Sequence, residues 1–216
     1  MDPSRERLVE ALLERHGRSF AAEAGIDLAD NTPAPLFQML CLSLLFSAKI
    51  GSDLAMDAMR ALIDAGWTTA AKMADASWEE RSSALKGAGY ARFDERTSTM
   101  LGETAERVRD EYDGDLRELR NRSEREPDRQ RELLKDFKGL GDVGVDIFFR
   151  EVQAAWPELH PFADDKALDG ARALGLPADA GELAEFVDRD RFPALVAALV
   201  RTELAGDADE VRRAAG

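Results

Sequence analysis

Apolar residues in this chain recur at three- and four-residue spacing almost from end to end, and no stretch alternates between apolar and polar. A period near 3.6 places such residues on one face of a helix, whereas a half-buried strand needs a period of two. An all-α fold of about a dozen helices follows, with no internal repeat and no low-complexity linker. Leu8, Leu12 and Leu13 mark a first helix that stops near Gly17. Asn31 or Thr32 can cap a second, with Pro33 in its tolerant first turn. That helix carries Leu36, Leu40, Leu44 and Leu45 and is apolar enough to be central. A third opens at Ser52 or Asp53 and ends by Gly66; shorter ones are predicted around 70–76 and 78–86. A long helix from about Phe93 to Tyr112 is stopped by Asp113-Gly114. The remaining helices are predicted near 116–120, 129–137, 143–155, 167–174, 183–187, 192–204 and 208–214. The charged segment Asn121–Asp128 contains Pro127 and reads as a loop.

Composition narrows the chemistry. One cysteine, Cys41, excludes an intramolecular disulfide and any cysteine-ligated zinc or iron–sulfur centre. Two histidines, His16 and His160, make a histidine metal site improbable. The most apolar stretch, Leu36–Ala48, is too short to span a bilayer and holds Gln38 and Ser43. Arg5, Glu6 and Arg7 lead into an amphipathic pattern rather than a signal sequence, so the expectation is a cytoplasmic, nucleoid-associated monomer. Trp67, Trp78, Trp156 and Tyr90 read as core aromatics, and Cys41 as buried and inert. The formal net charge is −14, which opposes binding to nucleic acid unless a local surface departs from it. Basic residues crowd Arg120–Lys138, but Glu124, Glu126, Asp128, Glu132 and Asp136 are interleaved with them.

The sharpest local motif is Lys138-Gly139-Leu140-Gly141-Asp142-Val143-Gly144, in which one helix runs into Gly-Leu-Gly and another leaves it. Glycines allow positive φ and the close approach of another backbone. Free N–H groups at the start of the second helix then form an anion site that needs no side-chain charge. A DNA phosphate fits that description; so does an ordinary interhelical turn with a buried Leu140.

With its context, this motif resembles the helix-hairpin-helix superfamily of base-excision DNA glycosylases, closest in layout to endonuclease III. Leu44-Leu45-Phe46-Ser47-Ala48-Lys49, Leu85-Lys86-Gly87-Ala88-Gly89-Tyr90, the hairpin, and Phe162-Ala163-Asp164-Asp165-Lys166-Ala167-Leu168 occur in the family's order and rough spacing, across about two thirds of the chain. The resemblance implies two helical lobes flanking a cleft: a barrel-like lobe over 31–140, and a second formed by 1–30 and 141–216. It implies a hairpin contact with duplex DNA holding a damaged or mispaired base, through Gly139, Leu140, Gly141, Val143 and Gly144, with a cation possible on hairpin carbonyls. Lys49 stands where members often place a gap-filling glutamine, and a lysine there can fill the gap or contact phosphate; Lys166 is read as a surface or phosphate-contacting lysine in preference to an amine nucleophile. The family's aspartate matches Asp164, or Asp165 if the alkylbase-type pairing is the better one. The position of the bifunctional members' lysine is Val143, so the implied activity is base release without strand cleavage, and the iron–sulfur cysteines are missing. Two alternatives stay open: a catalytically silent DNA-binding relative, and a helical interaction protein whose hairpin merely packs.

Overall fold

The computed structural model describes residues 2–48, 51–90 and 94–216. Among these the protein is all-α, with fourteen α-helices, two short 3-10 turns and no strand. No described helix is long and apolar enough to cross a membrane. The chain divides into two units, residues 26–148 and residues 1–25 with 149–216.

The internal unit contains α3 (Pro33–Ser47), α4 (Ser52–Asp64), α5 (Ala70–Asp75), α6 (Trp78–Gly87), α7 (Asp94–Tyr112), α8 (Leu116–Arg122) and α9 (Pro127–Lys135). Every residue of α3 from Leu36 to Leu45 is buried, so this helix is apolar all round rather than amphipathic, as a core helix must be. It packs against α4, α7 and α8. The two polar residues in its interior are satisfied locally: Gln38 donates to the Thr68 carbonyl at 3.1 Å and Ser43 to that of Met39 at 2.8 Å. Cys41 is fully buried, and burial pushes its thiol far up. Helix starts follow local chemistry. Ser77 and Glu80 form a reciprocal capping box at α6. Thr32 occupies the cap position of α3 but makes no side-chain cap bond, and Pro35, at the third helical position where a cap bond usually forms, has no N–H to offer.

Two expectations are corrected in this unit. Asn121–Asp128 is not a continuous loop: α8 runs to Arg122, and Pro127 opens α9 at its first position. Only a short break remains, where Glu124 and Arg125 take positive φ. Trp78 is not in the core. It is the first residue of α6, 37% exposed, with its indole N–H on Thr99 Oγ1 at 3.1 Å. Tyr90 is buried.

The terminal unit contains α1 (Pro3–His16), the one-turn α2 (Phe20–Glu23), α11 (Asp165–Leu174), α12 (Ala180–Ala184), α13 (Phe192–Ala205) and α14 (Ala208–Ala215). Its centre is α13, which packs on α11 and α1, while α14 lies on α1 and α11. Gly170 is what lets α11 approach α13: a Cβ there would overlap the Leu199 carbonyl. Trp156 is fully buried in the same unit. The remaining helix, α10 (Asp142–Val152), runs through the division, with its residues up to Phe148 in the internal unit and the rest in the terminal one.

Candidate nucleic-acid interface and carboxylate site

The Gly-Leu-Gly hairpin joins α9 to α10 in the internal unit. Three apolar residues anchor it: Leu134, Phe137 and Leu140 are all at most 2% exposed. Phe137 N–H donates to the Leu134 carbonyl at 3.1 Å and Leu140 N–H to that of Phe137 at 3.0 Å, so the turn is closed by its own backbone. Tyr112 packs obliquely on the Phe137 ring, and the Arg107 guanidinium lies 5.3 Å from its centroid.

The three glycines have different causes. Gly139 takes φ +92, a left-handed conformation, and a Cβ on it would overlap Met100 Sδ. Gly141 does not take positive φ, and a Cβ on it would meet nothing within 4 Å. Its lack of a side chain is therefore not required by the fold; it leaves the start of α10 open to approach. Gly144 is buried, and a Cβ on it would overlap Ser47 Oγ and stand 2.7 Å from Leu140 Cδ1. It serves the seating of α10 on the end of α3. Val143 is 66% exposed, an apolar side chain on the outer face of the first turn.

Val145 N–H donating to the Gly141 carbonyl at 3.0 Å begins the α10 ladder, so the amides of Asp142, Val143 and Gly144 have no intrahelical acceptor. Amides without an intrahelical acceptor occur at the start of any α-helix and can take an anion. The Phe137 and Gly141 carbonyls already accept N–H bonds, and a cation held by the hairpin would share them. The side chains around the turn do not add a basic field. Lys135 Nζ is 2.7 Å from Asp142 Oδ1, Arg131 2.7 Å from Asp146, Lys138 2.9 Å from Glu103 and Arg107 3.3 Å from Asp136. Residues 127–146 hold four basic and five acidic side chains. Lys135, followed by Arg131 and by Asp142's own backbone N–H, holds the Asp142 carboxyl below the usual carboxylate range. This carboxylate brings negative charge to the first turn of α10. Lys49 lies outside the described residues.

In the terminal unit, Asp164 is the N-cap of α11, its Oδ1 accepting from Ala167 N–H at 3.4 Å. Its Oδ2 accepts from Arg150 Nη1 at 3.1 Å, and the two side chains are only 10% and 5% exposed. The guanidinium of Arg150 also stacks on Phe20, 5.2 Å from the ring centroid. Just past α10, Gln153 grips the segment leading to Asp164 from both sides of one residue. Its Oε1 accepts from Phe162 N–H at 3.0 Å, and its Nε2 donates to the Phe162 carbonyl at 2.9 Å. The Phe162 ring sits edge-on to Phe149 at 5.6 Å. Glu151, fully buried, accepts from the N–H groups of Phe20 and Ala21 at 3.3 and 2.9 Å; burial pushes its carboxyl above the usual range against these bonds and Arg150. His160 begins the segment and is joined to Pro161 by a cis peptide, with its ring edge-on to Phe192 at 5.0 Å. Burial, then Arg189, lowers its basicity.

Asp165 and Lys166, the neighbouring candidates, differ from Asp164 in setting. Both are exposed on the first turn of α11, and Lys166 Nζ lies 3.7 Å from Glu203. The polar partners Arg150, Glu151 and Gln153 did not stand out in the sequence, where 143–155 reads as an apolar helix. Their signal was three polar residues within four positions of an otherwise apolar segment. Compared with protein-family models, with curated proteins and with solved structures, the chain matches none.

Proposed function

We propose that the protein is a helix-hairpin-helix base-excision protein that holds duplex DNA by backbone phosphate and releases a damaged or mispaired base without cutting the strand. The observation that carries this reading is the hairpin. A left-handed Gly139, a buried Leu140 and an unobstructed Gly141 leave the first amides of α10 directed at whatever approaches the turn. The binding is to be weak and salt-sensitive, since the nearby lysines and arginines are already paired with carboxylates.

Asp164 is assigned the chemical role. As the base departs with the bonding electrons, positive charge develops on the sugar, and a nearby carboxylate stabilises it until water adds at the same carbon. Asp164 is preferred to Asp165 because its oxygens are held by Arg150 and by the α11 amide, whereas Asp165 is solvent-exposed. Val143 supplies no amine, so no imine forms with the sugar and β-elimination has no electron sink.

The test is base release from a panel of lesion-bearing duplexes, with alkali added to reveal abasic sites. Product seen only after alkali, lost in Asp164→Asn with duplex binding kept, is the expected result. A borohydride-trapped complex that disappears in Lys166→Ala or Lys49→Ala refutes the monofunctional reading. A second reading is favoured by the Arg150–Asp164 pair itself, in which the cation offsets the charge that catalysis requires: a catalytically silent relative that binds duplex. Binding that depends on Gly141, with no base released from any duplex, decides for it.

A further inference from the structure

We infer that Arg150 and Gln153 are positioning residues that fix where the Asp164 carboxylate stands, an inference that rests on the assignment of Asp164 to base release. Residues 160–164 lie in no helix, so the carboxylate sits at the end of a segment with no internal hydrogen-bond ladder. Apart from the α11 amide on Oδ1, it is held from the end of α10. The Gln153 amide pairs with both backbone groups of Phe162, two residues before Asp164, and Phe149 takes the Phe162 ring edge-on. Arg150 takes Oδ2, and the Arg150 carbonyl in turn accepts from Gln153 Nε2 at 2.9 Å, which links the two holding residues.

Capping α11 requires only Oδ1. The arginine on Oδ2 is expensive to bury. Its side chain is 5% exposed, and its Nε is buried without an acceptor. Burying an arginine with a donor left over is unfavourable, and an apolar residue of similar volume commonly stabilises a fold more than a buried ion pair does. Such a residue, kept against stability, is expected where a neighbouring group must be held in one place.

A double-substitution cycle on the full chain tests this, read as the single-turnover rate of base release beside duplex affinity and thermal unfolding. Arg150→Met and Asp164→Asn are each expected to slow base release on the order of 10²-fold, with duplex affinity changed by less than about threefold. In the Asp164→Asn background, Arg150→Met is expected to slow it by no more than about twofold further, because the group it positions is gone. Arg150→Lys recovers part of the rate and Gln153→Met loses part of it. Should Arg150→Met alone not fold, Asp164→Asn compared with the double variant, which buries no lone charge, carries the same test. Losses that multiply, or an Arg150→Met protein with the wild-type rate, overturn the inference while base excision stands. A wild-type protein that releases no base from any duplex overturns the proposed activity and this inference together.

Discussion

Gly139 and Gly141 are two residues apart in one turn, and substituting each separates what the fold requires from what a ligand requires. Any side chain at Gly139 faces two penalties. Holding a non-glycine residue at φ +92 costs roughly 1–2 kcal/mol. The new Cβ also overlaps Met100 Sδ. Methionine has three rotatable bonds and moves more readily than backbone does, so this repacking adds about 1 kcal/mol. Gly139→Ala is therefore expected to lose about 2–3 kcal/mol, a fall in Tm of about 5–10 °C for a chain of this size. Gly141→Val meets neither penalty. Its Cβ has no neighbour within 4 Å and its φ is not left-handed, so stability should change by less than about 0.5 kcal/mol. The same valine stands beside the first amides of α10 and keeps a phosphate from reaching them. Thermal unfolding measures the first effect, and anisotropy of a labelled duplex at low salt the second. A folded Gly141→Val protein with wild-type affinity refutes phosphate capture by the hairpin. A Gly139→Ala protein as stable as the wild type refutes the account of the turn.

Three further outcomes follow from the geometry. Gly170→Ala should lose about 3 kcal/mol or more in thermal unfolding, because its methyl meets the Leu199 backbone rather than a movable side chain. Asp142→Asn should tighten duplex binding by about threefold to tenfold at low salt, since it removes a carboxylate from the amides meant for phosphate; unchanged or weaker binding counts against the hairpin site. The Asp94 carboxyl is held below its usual range, first by the Ser82 hydroxyl at 2.6 Å and then by Lys86. A folded-state value below the unfolded one means that its stabilisation is complete above about pH 4 and is lost as the pH falls through the folded value. Asp94→Asn should therefore flatten the acid limb of a Tm-against-pH profile, and an unchanged limb contradicts this.

The sequence by itself determined the helices and most of their ends. Period 3.6, the Ser77–Glu80 box, the proline at the start of α3 and the glycine after α1 are all local, and helix formation is decided largely within a turn or two. The same holds for α3, whose unbroken apolar composition fits only the core. Pro127 signals both a loop and a helix start, and Trp78 carries a core residue's composition on the outer face of a first turn. Within the candidate site, the turn at Gly139–Gly141 was legible for this reason.

Tertiary structure alone decided what those residues touch. Met100 lies nearly forty positions before Gly139, Ser47 nearly a hundred before Gly144, and Arg150 fourteen before Asp164. No periodicity encodes such pairs, because the distances are set by how separate helices pack. Tertiary structure also decided the electrostatics of the hairpin. The sequence interleaves the two signs of charge, but which carboxylate stands beside Arg131, Lys135 or Lys138 is set by the fold, and Coulomb energy depends on separation in space rather than in sequence.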